Sequence, residues 1–196
     1  IQSIYIGKSK CSCPNESAEH FKDTAAANFQ FEYSDTKTYW STQETMHTLV
    51  DTIIAPYFDQ KKEELGLSPN QKAIWQIDVW LVHHSKEFCS WLRENHPNII
   101  LIYVPGGCTG VFQACNIGIQ HIFKLLLKRS YHGNVVAEIL QQLDKKVKTV
   151  VLAKTVEVMR DCSVTWLWKA YEAINKKEIV QKASNLYLSS AFVLTS

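Results

Sequence analysis

The chain has 196 residues, 46% of them hydrophobic and 11% aromatic, which suffices for one buried core and excludes the disordered class. Its 21 basic and 19 acidic side chains leave a net charge of +2, too mild to announce nucleic-acid binding and far from an acidic, solvating chain. Six cysteines without a CxxC pair favour reduced thiols over a disulfide framework.

Ile1 to Ile6 alternates β-branched and aromatic residues up to Gly7 and predicts a strand. This opening has no basic region followed by a small-residue cleavage site, so no signal peptide is expected. Residues 8 to 40 look irregular, apart from a possible short strand at Phe29, Phe31 and Tyr33. Cys11, Cys13 and His20 fall here. They are conceivable zinc ligands, but their spacing fits no standard finger and free thiols are the expectation.

"STQE" at 41–44 predicts a capping box with Ser41 at the cap and Glu44 three residues on. The helix that follows carries Met46, Leu49, Val50, Ile53, Ile54, Tyr57 and Phe58 on one face, the spacing of a core stripe. Pro56 should kink it and Gly66 should end it. Lys72 to Trp80 predicts a buried strand and "SKEFCSWLREN" a helix with Phe88, Trp91 and Leu92 inward. Asn98 to Val104 predicts a second buried strand. Strand, helix, strand in this order makes a βαβ unit with parallel neighbours.

From Asn95 to Phe123 no Asp, Glu, Lys or Arg occurs, and Gly106, Gly107, Gly110 and Gly118 fall in this run. It is long enough to cross a bilayer, but Pro97, Pro105 and the glycines would leave backbone groups unsatisfied in lipid, so no span is expected. Val111 to Lys128 predicts a helix with a basic end at Lys124, Lys128 and Arg129. "NVVAEILQQL" predicts another, and "SVTWLWKAYEAINKK" a last one.

The chemistry gathers where the parallel strands end, because functional groups in open α/β sheets collect at their carboxyl ends. Asp78 closes the first strand between apolar neighbours, where a carboxylate is costly unless it binds a cation or accepts hydrogen bonds. His83 follows five residues later. The glycine loop after Val104 lacks the Lys-Ser/Thr pair of a Walker-type phosphate site.

"IDVWLVHHS", "IYVPGGCTGVFQACNIGIQHIFK" and "YWSTQETM" together resemble the DDE-type endonuclease domain of pogo-like transposons, the family of centromere protein B and Jerky-type proteins. Asp78, His83, Val104, Pro105, Thr109, Gln113, Gly118 and Ile119 stand in register with the family pattern. The resemblance implies an α/β fold over 1–132, an RNase H-like mixed sheet with flanking helices, followed by a helical extension over 133–196. It further implies three acids holding two divalent metals, Mg²⁺ or Mn²⁺, for in-line attack on a DNA phosphodiester, and hence a nuclear location.

Two departures stand out. Position 116, where the pattern calls for the third acid, is Asn116, whose amide brings no charge and cannot act as a base. Ile1 to Ile6 resembles the family's third strand, which makes the sheet N-terminally truncated and puts the first acid upstream. Of the three acids only Asp78 is in place. A catalytically silent domain is therefore expected, with self-association through an exposed sheet edge. The alternatives are a DNA- or protein-binding module using Lys124, Lys128, Arg129, Lys145, Lys146 and Lys148 over phosphates, an active metal-dependent DNA nuclease if an upstream segment supplies the first Asp, or an unrelated enzyme with His83 or His84 as base and Cys108 as nucleophile.

Overall fold

The computed structural model describes residues 1–107 and 119–181. The chain forms two compact units, one of residues 1–13 with 28–113 and one of 14–27 with 114–196. Residue 132, the expected end of the endonuclease-like part, lies within the second unit.

In the first unit β1 (Gln2–Tyr5) pairs in parallel with β2 (Gln30–Tyr33), Gln2 opposite Gln30 and Tyr5 opposite Tyr33. The stretch between them is less irregular than its sequence suggests. It holds a 3₁₀ turn at Lys10–Ser12 and a short helix, α1 (Phe21–Ala26), which belongs to the second unit. No sequence signal announces α1, because His20 enters it in the left-handed region at φ 65° and gives no side-chain cap.

Helix α2 (Gln43–Leu49) begins one residue later than the capping-box reading, with Thr42 as the cap. Thr42 Oγ1 accepts from the Thr45 amide at 3.3 Å, and Thr45 Oγ1 accepts from the Thr42 amide at 2.8 Å. The Thr45 hydroxyl thus takes the reciprocal role expected of Glu44. A π-helical segment, Val50–Ile54, carries the chain without a break into α3 (Ala55–Glu64), and Pro56, which has no N–H to donate, falls just past the wider turn.

The wider π turn shifts the phase of the apolar stripe. Met46 and Val50 are fully buried, whereas Tyr57, expected in the core, turns outward. Gly66 at φ 63° ends α3: its amide donates to Glu63 O at 3.0 Å and the Leu67 amide donates to Lys62 O at 2.8 Å. This paired closure needs a left-handed residue.

β3 (Ala73–Asp78), α4 (Lys86–Asn95) and β4 (Ile99–Val104) form the expected βαβ unit, with the strands parallel and Asp78 opposite Val104. Ser85 caps α4, its Oγ accepting from the Phe88 amide at 3.1 Å. Ile77 and Ile99 join Met46, Val50, Phe88 and Leu92 in one core, with Trp75, Trp91 and Leu101 packed beside them. Most of the strand burial is on this face, although Val104, at the end of β4 in phase with Ile100 and Ile102, is also buried. Ile74, Ile100 and Ile102 point the other way and are exposed, Ile74 at 62%. Continuous apolar runs predict burial on both faces, and the described residues leave the second one open at Ile74, Ile100 and Ile102.

In the second unit α5 (His121–Asp144) runs unbroken through Gly133, where two helices were expected. A glycine inside a helix costs about 1 kcal/mol but does not stop it when the flanking turns are strong. Helix α6 (Val156–Ile174) is capped by Thr155 and packs on α5, with Tyr131 and Trp166 edge to face at 5.3 Å. It also receives α1: Thr24 is fully buried, and Thr165 donates to the Glu19 carboxylate at 3.1 Å. Among the described residues no helix is long and apolar enough to cross a membrane.

Candidate active site

Alternation along β3 sends Ile77 into the core and Asp78 to the other side, at the strand's carboxyl end. There the chain curls at once. The Trp80 amide donates to Asp78 O at 3.0 Å, His84 N to Trp80 O at 3.0 Å, and Ser85 N to Val82 O at 3.2 Å. The tight loop returns His83 to Asp78. His83 Nδ1 lies 2.9 Å from Asp78 Oδ1 and 3.3 Å from the Asp78 carbonyl oxygen.

Both of those oxygens only accept, so Nδ1 carries the hydrogen and donates it, and Nε2 is the nitrogen left for other chemistry. The Asp78 side chain is 41% exposed and His83 15%, so the carboxylate faces outward with the imidazole behind it.

A second set of contacts fixes the loop. Tyr103, from β4, donates its hydroxyl to His83 O at 2.8 Å. Cys89 Sγ, from α4, lies 3.2 Å from that hydroxyl and 3.7 Å from His83 O. The His84 ring meets Tyr103 edge-on at 5.2 Å. Burial, reinforced by the hydrogen bond with Cys89, pushes the Tyr103 phenol well above its usual range, so it stays a donor at neutral pH. From α2, Gln43 Nε2 donates to Ser85 Oγ at 2.6 Å, joining the start of α2 to the start of α4. The chain leaving β2 adds Trp40, whose ring stacks on Trp80 with centroids 4.7 Å apart.

Of the residues expected at the site, Asp78 and His83 are brought together. Asn116 lies outside the described residues, as do Cys108, Thr109, Gln113, Cys115 and Gly118. Lys124, Lys128 and Arg129 are exposed on α5 in the second unit, Lys124 and Lys128 one helical turn apart. Of the conceivable zinc ligands, Cys13 donates to Phe31 O at 3.4 Å and His20 Nδ1 to Asp23 Oδ2 at 2.7 Å. Sequence reasoning missed Tyr103, Cys89 and Trp40. Tyr103 sits in an apolar run that reads as core, and a hydrogen bond to a backbone carbonyl leaves no mark on a sequence.

The family model of the DDE superfamily endonucleases matches residues 2–182. The chain belongs to that family. The match takes in α5 and α6 as well as the βαβ unit, and so extends past residue 132. Comparison with curated proteins finds no match, and neither does comparison with solved structures.

DDE endonucleases generally use divalent metals, and hard dications require several oxygen ligands. Asp78 offers one carboxylate, with Oδ1 already accepting from His83. Among the described residues no group of three or more His, Cys, Asp or Glu side chains converges. The described donors therefore do not fit a two-metal centre by themselves.

Proposed function

We propose that this chain is a transposase-derived DDE domain of the pogo-like type that engages DNA without cutting it. The observation that carries the reading is the Asp78–His83 pair at the carboxyl end of β3, beside the exit of β4, combined with asparagine at position 116. The pair keeps the form of one corner of a DDE centre. Asn116 removes a negative oxygen ligand that two dications would need, which disfavours cleavage with Mg²⁺ or Mn²⁺. The parallel β3–β4 pair with its α4 crossover supports an RNase H-like arrangement. Lys124, Lys128 and Arg129 present exposed positive charge for phosphates, and a chromosomal DNA partner implies a nuclear location.

Purified protein incubated with supercoiled plasmid and Mg²⁺ or Mn²⁺ should leave the plasmid intact. Nicking that Asp78→Ala abolishes would overturn the silent reading. A second reading, supported by the intact Asp78–His83 geometry, is a working metal-dependent nuclease whose first Asp comes from sequence preceding Ile1, and it predicts nicking only when that sequence is joined to the chain.

DNA engagement has its own check. A gel shift at low salt should retard duplex DNA. Reversing Lys124, Lys128 and Arg129 to Glu should weaken binding. It should also flatten the dependence of log K on log salt, by about 0.9 for each phosphate that is no longer neutralised. No shift at low salt would remove DNA as the partner.

A further inference from the structure

The chain segments leaving β2 and β3 meet in an aromatic stack beside Asp78. Trp40 lies on Trp80 with centroids 4.7 Å apart and planes 25° apart, and Tyr39 lies against Trp40 at 5.2 Å. These rings do not fill the core. Trp40 is 50% exposed and Tyr39 61%, and Val79 and the 83%-exposed Leu81 continue the apolar surface along the same loop. The stack is tied to the acid through the backbone, because the Trp80 amide donates to the Asp78 carbonyl oxygen. The loop that holds Trp80 also holds His83, whose Nδ1–H fixes the Asp78 carboxylate.

Flat, open π-faces next to a carboxylate select their occupant. A phosphate is repelled by Asp78, whereas a neutral heterocycle is not. A protein anchor residue needs a pocket that excludes water around it, and Tyr39 and Trp40 stand open instead. Bases stack on aromatic side chains with little regard for sequence, since every base has a π-face. Inside a duplex each base is already stacked on its neighbours, so only an unpaired or extruded base can use such a surface.

We propose that Tyr39, Trp40 and Trp80 form a stacking platform for an unpaired nucleobase of the DNA that this domain engages. The proposal rests on the DNA reading above and adds the form of DNA that is preferred at the Asp78 end of the site. It makes the aromatic loops, in place of the helix lysines, the element that tells distorted DNA from regular duplex.

The test uses the full chain and three fluorescently labelled duplexes of one sequence: perfectly paired, carrying a single unpaired thymine, and carrying an abasic residue at that bulge. Affinities are read by anisotropy at one fixed salt concentration. The unpaired thymine should tighten binding by about tenfold over the perfect duplex, the scale of one base–aromatic stack, and the abasic bulge should lose that gain. Trp40→Ala should abolish the gain, bringing the bulged and perfect duplexes to equal affinity, and Trp40→Phe should keep part of it. If melting shows that Trp40→Ala is unfolded, Tyr39→Ala and the abasic comparison on unaltered protein decide instead.

Equal affinity for paired and bulged DNA overturns the platform and leaves the DNA reading standing. So does an abasic bulge that binds as tightly as thymine, or a Trp40→Ala loss shared equally by all three duplexes. No binding to any of the three at low salt overturns both.

Discussion

His83 is held from two sides: its ring donates to Asp78, and its carbonyl accepts from Tyr103. Tyr103 is therefore a positioning residue for the candidate site, acting through the backbone of the loop. Replacing it with Phe should cost about 1 kcal/mol at neutral pH, the usual net worth of one such hydrogen bond, read from a denaturant midpoint. The pH dependence follows from linkage. The folded phenol has a raised pKa, so its contribution is complete below the unfolded value of about 10 and is lost as pH rises through the folded value. Tyr103→Phe should consequently flatten the alkaline limb of the stability curve. An unchanged limb above pH 10 would mean that the phenol is not linked to folding. Asp78 and His83 were legible because their spacing belongs to a family pattern. Tyr103 and Cys89 were not, because what they contact is main chain brought near by the crossover helix.

Ser85 shows how one element boundary serves several others. Its hydroxyl accepts from the Phe88 amide, donates to Val82 O at 2.8 Å and receives Gln43 Nε2 from the start of α2. Ser85→Ala removes the cap of α4 and strands the Gln43 amide, whose Oε1 is already buried without a partner. The expected loss is about 2 kcal/mol, at the upper end for a cap, and thermal melting of the variant checks it. The βαβ unit could be read in advance because two β-branched runs bracket an amphipathic helix with this cap. The boundaries that went astray have local physical causes. Thr45 reciprocates with Thr42 and moves the α2 cap by one residue, the π segment rotates Tyr57 out of the core, and α5 carries Gly133 without breaking. The stack of Trp40 on Trp80 joins loops far apart in sequence, and no periodicity announces such a contact.

For the molecule as a whole, the sheet face bearing Ile74, Ile100 and Ile102 is the largest departure from the buried strands expected. Exposed apolar strands favour association with further copies. Sedimentation velocity at micromolar concentration should show species larger than one chain, and Ile102→Lys, which puts a charge on that face, should shift them toward the monomer. A single sharp monomer boundary for the unaltered protein would count against association. The division into two units has a further consequence, for the order in which the protein can form. The backbone enters the second unit at residue 14, leaves it at 27 and returns only after 113. During synthesis α1 is made early, yet the surface that buries Thr24 and pairs with Glu19 belongs to α6, near the other end of the described chain. Residues 14–27 must wait, unpartnered, until more than a hundred later residues have left the ribosome. Neither unit can be cut out as one continuous piece of the gene.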